Sequence, residues 1–163
     1  VENETVAFAQ LQTQESDMPA ISAALSVWPE LAGLRIRPLL VTAFGDIYVE
    51  TDTGEVLAAK PIEIECMRVC DSVGALKQLF ANAQWADDNL ITQLALLAKE
   101  RGIARQQHQV FAFAPHPAFT GKLRVENLVP MDIGIWHQIS SQLRGAQRIR
   151  IDRESEAIHD LIL

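Results

Sequence analysis

Ala43-Phe44-Gly45-Asp46-Ile47-Tyr48-Val49-Glu50-Thr51-Asp52-Thr53-Gly54-Glu55-Val56-Leu57 is the stretch that decides the fold. It reads as two short strands around a tight turn. Asp52-Thr53-Gly54 supplies the turn chemistry, with Gly54 free to take positive φ. The rest of the chain can be laid out as elements that cover this hairpin.

Working outward, Leu34-Arg35-Ile36-Arg37 alternates apolar and basic residues, as in a strand with one wet face. Pro38 interrupts it and marks an edge, before the short apolar run Leu39-Leu40-Val41. On the other side, Pro61-Ile62-Glu63-Ile64-Glu65-Cys66 alternates strictly. It predicts a strand with Ile62, Ile64 and Cys66 on one face and Glu63 and Glu65 on the other. Further strands are expected at Gln109–Phe113, stopped by Pro115 and Pro117, at Leu123–Glu126 after a turn at Phe119–Lys122, and at Arg148–Ile151.

Helical spacing fills the gaps. Ser16 or Asp17 opens a helix carrying Ile21, Ala24, Leu25 and Trp28, which Pro29 and Gly33 end. Asp71 or Ser72 caps a second, with Val73, Leu76, Leu79 and Phe80 inward. Asp87 or Asp88 caps a third, with Leu90, Ile91, Leu94, Leu97 and Ala98, ended by Arg101 and Gly102. Asp132 caps a fourth, with Ile133, Trp136, Ile139 and Leu143 inward. Val6, Phe8 and Leu11 fit a short strand or an arm. Residues 152–163 form an amphipathic tail with Ile158, Leu161 and Ile162, able to pack back or to dock on a partner. The fold class expected is α+β, a mainly antiparallel sheet with helices packed on one side, in a single domain over 1–163. Residues 1–38 are an N-terminal extension with one helix, and 146–163 a C-terminal strand and tail.

The charge balance narrows the function. The 163 residues carry a net charge of −7, with 48% apolar residues, enough for a core. A nucleic-acid binder shows a basic excess, so direct nucleic-acid binding is disfavoured. An acidic chain suits a basic protein surface, or is simply kept in solution by its charge. Val1–Glu4 is acidic, and no apolar run approaches a membrane span, so no membrane association and a cytoplasmic location are expected.

Chemistry-bearing motifs are few. Cys66 and Cys70 are too few for a disulfide scaffold; on a strand they share a face roughly 13 Å apart, which argues for two reduced thiols. There is no phosphate loop, nucleophile elbow or zinc-protease helix, and no cofactor or metal is expected. His116 sits between two prolines in a loop expected at the surface, and His137 flanks an apolar helix stripe. Trp28 and Trp136 read as core; Trp85 stands between two helices, either exposed or capping their corner. The carboxylates read more readily as surface. Glu50, Asp52 and Glu55 cluster at the hairpin turn, and Glu63 and Glu65 share the next strand. These five are the expected partner-binding residues, an acidic patch that docks a basic partner.

Two stretches resemble the C-terminal domain of bacterial type VI secretion immunity proteins that neutralise DNase effectors. The first is Phe44-Gly45-Asp46-Ile47-Tyr48-Val49, followed by Gly54-Glu55-Val56. The second is Phe111-Ala112-Phe113-Ala114-Pro115, leading to Gly121, Glu126-Asn127-Leu128 and the helix around Trp136-His137-Gln138-Ile139. Together they span about residues 40–145. The layout is also similar, less closely, to the Smi1/Knr4-like immunity proteins. The resemblance implies a non-enzymatic protein whose partner is a cognate toxin or effector. It carries over no catalytic residue, and Phe44, Gly45, Asp46, Pro115, Gly121, Asn127 and Leu128 look like fold determinants. Two other readings stay open: a small hydrolase-like enzyme using His116 or His137 with a carboxylate, and a self-associating regulatory module, a homodimer joined through residues 147–163.

Overall fold

The hairpin forms where the sequence places it, and it lies at the centre of the larger sheet. The structure, a computed structural model, describes residues 10–11 and 17–144. In it β1 (Gln10–Leu11), β2 (Ile36–Thr42), β3 (Ile47–Thr51), β4 (Val56–Lys60) and β5 (Glu65–Cys70) lie side by side in chain order, every neighbour antiparallel. From β2 to β5 the connections are short, as an antiparallel meander allows; the one from β1 to β2 carries a helix and a 3-10 turn. Gly54 has a φ of 90° in the β3–β4 turn, where the Thr51 N–H donates to the Glu55 carbonyl at 2.9 Å.

Side-chain alternation along β3 and β4 serves two cores. Ile47, Val49 and Ala59 point into the main one; Tyr48, Val56 and Ala58 point into a second. Leu76 of α2 (Val73–Ala81) is buried in that second core, with Val73 and Phe80 half-buried against it. The expected α+β class is therefore present, with one addition: α2 covers the sheet face opposite the other helices. Burial on both faces explains why Ile47-Tyr48-Val49 is apolar throughout instead of alternating with polar residues.

The main core is closed by α1 (Met18–Leu25), α3 (Ala83–Leu90), α4 (Thr92–Glu100), the pair β6 (Gln109–Phe113) and β7 (Leu128–Asp132), the short α5 (Pro117–Thr120) and α6 (Ile133–Leu143). α1 packs along α6. β6 meets the turn between β2 and β3, where the Phe111 N–H donates to the Ala43 carbonyl at 2.8 Å and Phe111 and Phe113 pack on Phe44. Ser72 caps α2 by accepting from the Ala75 N–H, and Asp132 caps α6 by accepting from the Ile135 N–H, each at 3.1 Å.

Several expectations are corrected. The strand predicted at residues 61–66 begins only at Glu65. Pro61–Ile64 are a turn in which Ile64 adopts a left-handed φ of 57°, rare for a β-branched residue, and both isoleucines are buried by the turn itself. Glu63 therefore sits in a turn and shares no strand face with Glu65. In β5 an extra residue, Val69, stands between the pairs Leu57↔Arg68 and Val56↔Cys70. The bulge turns Cys70 toward the second core while Cys66 faces the main one, so the two thiols do not share a face. Asp87 and Asp88 are not a helix start: Asn82 caps α3, and the two aspartates lie in its later part. Asp87 instead accepts from the Thr92 hydroxyl across the α3–α4 junction, where Ile91 takes a left-handed φ of 55°. Residues 123–126 are not a strand; a 3-10 turn at Val125–Asn127 leads into β7. Pro38 does not divide β2. It stands at a register shift within the strand, where its missing N–H is tolerated. Trp28 lies just past the end of α1 yet is buried, and Trp85 is half-buried, edge-on to Phe80. The expected arm at 1–9, the strand at 148–151 and the tail at 152–163 lie outside the described residues.

The turn between β2 and β3 is the tightest point of the fold. Gly45 has a φ of 89°, and a Cβ placed on it meets Trp136 Cδ1 at 2.9 Å and Val110 Cγ2 at 3.1 Å. Gly54, also left-handed, has open space around it, with Asp71 O at 3.9 Å. Gly45→Ala should therefore cost roughly 3 kcal/mol or more, conformation and clash together, and Gly54→Ala only about 1–2 kcal/mol. Urea denaturation of the two variants checks the difference.

Candidate functional site

The five carboxylates expected to form one patch do not lie together. Glu50, Asp52 and Glu55 surround the β3–β4 turn; Glu63 and Glu65 belong to the β4–β5 connection at the other end of β4. At about 3.4 Å per residue, the length of β4 puts the two groups roughly 15 Å apart along the strand. Two members of the first group are also paired with arginines at the surface. Glu50 faces Arg37 in the β2–β3 ladder and pairs with its guanidinium, with Arg37 Nε 3.1 Å from Glu50 Oε2. Arg68 Nε lies 2.6 Å from Glu55 Oε1, and the same guanidinium pairs with Asp71. Asp52 at the turn tip and Glu65 are exposed. The surface at this turn is thus a mixed one, four carboxylates around two arginines. The sequence carried a sign of this, because Arg37 and Arg68 stand on the strands flanking the hairpin.

The polar groups that converge most closely are inside. His137 on α6 is fully buried. Its Nδ1 accepts from Trp28 Nε1–H at 2.8 Å, which leaves Nε2–H to donate to the Gly45 carbonyl at 2.6 Å. Trp136 Nε1–H donates to the preceding carbonyl, Phe44, at 3.1 Å. Two adjacent residues of α6 thus hold two adjacent carbonyls of the Phe44–Gly45 turn, and Trp28 is held by the same ring. Burial presses the His137 pKa down to about 4, opposed in part by the bond to Gly45. The ring is therefore neutral near pH 7, as its two bonds require.

One turn further along α6, Ser140 donates to the Trp136 carbonyl at 3.0 Å, and its oxygen lies 3.2 Å from His116 Nε2. His116 Nδ1 accepts from the Ala118 N–H at 3.0 Å, so Nε2–H points at the Pro61 carbonyl, also 3.0 Å away. His116 is buried and caps α5, where the sequence reading expected a surface loop. Its pKa is lowered by burial, against the raising influence of the Pro61 bond and of Glu63 nearby. The sequence places Trp28 in the core but names no partner for its indole N–H, and Ser140 is not singled out there at all. The helical spacing of Ile133, Trp136 and Ser140 with His137 was the available signal, since it places His137 on the buried stripe.

This geometry limits the chemistry. Both nitrogens of both imidazoles are engaged by protein groups, and neither ring is open to solvent. Cys66 is held as a thiol, its pKa raised to about 11 by burial first and then by Glu65. Arg105 lies over the Phe111 ring at 4.5 Å and reaches the Ala43 carbonyl at 3.3 Å, tying the segment before β6 to the same turn. Among the described residues, no group of three or more His, Cys, Asp or Glu is placed to hold a metal, and no helix is long and apolar enough to cross a membrane.

No protein-family model matches the chain, and no curated protein is detectably similar to it.

The buried imidazole sets a pH dependence. The unfolded His137 ring takes up a proton near pH 6.5, whereas the folded one does so only near 4. Between those values the unfolded state binds more protons, so stability falls as pH falls through that window, by up to about 3 kcal/mol from this residue. Chemical denaturation at pH 7 and pH 4.5 should show the loss, and His137→Gln should be less stable at pH 7 but lose less on acidification.

Proposed function

We propose that this protein is an immunity protein: it binds a cognate bacterial toxin, of nuclease type, and neutralises it stoichiometrically without catalysing a reaction. The observation that carries the reading is the meeting of the two stretches whose sequence resembles that family. Phe44 stacks on Phe113 at 6.0 Å between ring centroids and lies 5.7 Å from Phe111. The Phe44 and Gly45 carbonyls take Trp136 and His137. The Ala114 N–H donates to the Asn127 carbonyl at 2.9 Å, joining the Phe111–Pro115 and Glu126–Leu128 parts of the second stretch. Residues far apart in sequence that carry the likeness therefore build one structural unit, as fold determinants of a shared domain do.

The chemistry of the rest agrees with a binding role. A toxin that cleaves DNA offers a basic cleft, and a chain of net charge −7 is steered toward it. The burial of His116 and His137, with their ring nitrogens bonded to protein groups, supports this reading over the enzyme alternative. The location that goes with this function is the cytoplasm of the toxin-producing cell or its kin, and the function requires no cofactor.

The proposed contact surface is the β3–β4 turn, where Asp52 stands at the tip and Glu50 and Glu55 are only part-neutralised. Glu63 and Glu65, at the far end of β4, belong to a separate surface. The double variant Asp52→Lys/Glu55→Lys should weaken binding to the toxin encoded beside this gene by about tenfold or more at low salt, with most of the loss in the association rate. Glu63→Lys/Glu65→Lys should bind within about twofold of the native chain. Surface plasmon resonance at two salt concentrations measures both. A folded protein that captures no neighbouring gene product at either salt concentration overturns the reading.

A further inference from the structure

Arg68 joins two turns at one end of the larger sheet. It lies on β5 opposite Leu57, just before the extra residue Val69. Its Nε is 2.6 Å from Glu55 Oε1 in the β3–β4 turn, and its Nη2 pairs with Asp71, just past the end of β5. The two turns abut: the Asp71 carbonyl oxygen is 3.9 Å from the place a Cβ on Gly54 would take. We propose that Arg68 regulates the contact surface at the β3–β4 turn. In the free protein its guanidinium stands in for a cation of the toxin, and it yields Glu55 and Asp71 when the toxin docks. This rests on the immunity reading above, and adds Asp71 and an opposing charge to it.

Exposure makes the exchange possible. The Asp71 side chain is 83% exposed and that of Glu55 43%, and Arg68 itself is half exposed. Ion pairs this open are hydrated and screened and add little to stability, so this one can open without loosening the fold. The other arginine of the surface differs. Its partner Glu50 is only 25% exposed, and Arg37 faces it directly across the β2–β3 ladder. That pair belongs to the sheet, whereas the Arg68 pairs belong to the surface.

The way Arg68 is held states what can replace it. Nε serves one carboxylate and Nη2 the other, so the two acceptors lie around one planar fork. An arginine of the toxin matches that arrangement, and a lysine, a point charge on a flexible stem, does not. A cleft that grips phosphates presents such arginines. In the free chain Arg68 lowers the negative field that steers the toxin, and it must also leave its two partners. Both effects slow binding. The gain is discrimination, since a basic protein without an arginine opposite Glu55 and Asp71 does not displace the internal one.

The competing role for Arg68 is to brace the fold, and its neighbours leave little for it to brace. The β3–β4 turn is closed by the Thr51 N–H to Glu55 carbonyl bond. Val69 and Cys70 of the bulge pack against the second core. Ser72 caps α2 with its own hydroxyl. Each of these closures is made without Arg68, so its charge acts mainly on what approaches the surface.

Binding kinetics of the full chain with the product of the neighbouring toxin gene test this. Arg68→Gln, and Arg68→Met, which keeps the stem, should bind about three- to tenfold more tightly than the native chain at low salt, chiefly through faster association. The gain should shrink to about twofold or less at high salt. Arg68→Lys, which keeps the charge, should stay within about twofold of the native chain, and Asp71→Asn added to Arg68→Gln should cancel most of the gain. Urea denaturation confirms that each variant is folded. A bracing role gives the opposite sign, weaker binding by both uncharged variants. If the native chain binds the toxin and the folded uncharged variants bind no more tightly, the proposal is overturned and the immunity reading stands. If the native chain binds no toxin, both are overturned.

Discussion

Everything in this fold hangs on a neutral imidazole that has no choice of partner. His137 accepts a hydrogen bond from the Trp28 indole on one side and donates one to the Gly45 carbonyl on the other. Both partners are buried, so removing the ring leaves an indole N–H and a carbonyl without bonds where water does not reach, at a cost of about 1–3 kcal/mol for each group. Gly45 must also be glycine, since Trp136 occupies the space of its side chain. The turn, the helix and the tryptophan after α1 are therefore fixed by one another. α1 and α6 pack side by side because Trp28, just past the end of α1, reaches into α6, and the larger sheet meets them through its β2–β3 turn.

Local pattern made much of this legible. The Asp52-Thr53-Gly54 turn, the strand at Gln109–Phe113 and the caps at Ser72 and Asp132 follow from short-range chemistry, and they stand where it places them. The failures have physical causes of the opposite kind. Pro61–Cys66 alternates like a strand, but its burial comes from a turn folded over the core, with Ile64 in a backbone region that pattern reading denies it. β7 was hidden by Pro130, which is tolerated because this strand pairs only with β6 among the described residues, with Pro130 opposite Phe111. Asp87 reads as a cap because the dipole favours a carboxylate at a helix start. A hydroxyl across the next junction fixes it instead.

The candidate site divides in the same way. A carboxylate's exposure is readable from its turn context, and Asp52 is exposed as expected. Its electrostatic environment depends on the cross-strand register, which set Arg37 against Glu50 and Arg68 beside Glu55. A single bulge or a shifted strand start moves such pairs, and neither is visible in periodicity. The histidines show the converse. Histidine titrates near neutrality and so invites a chemical role, yet in each case a backbone donor or an indole claims the basic nitrogen. What makes a histidine useful to an enzyme, a free lone pair in reach of water, is what the packing has removed.

The bond between Trp28 and His137 spans 109 residues. Each strand of the larger sheet, by contrast, pairs with its neighbour in the chain, from β1 to β5. The loop-closure entropy for a separation of that size is about 4 kcal/mol above a constant, while each hairpin from β2 to β5 closes over a few residues. Assembly thus has a built-in order. The meander is complete in sequence by Cys70, but its β2–β3 turn lacks the partners of its Phe44 and Gly45 carbonyls until α6 has been synthesised. On the ribosome the strands of that sheet emerge well before Trp136 and His137, so the Phe44 and Gly45 carbonyls meet these two donors only once α6 has followed.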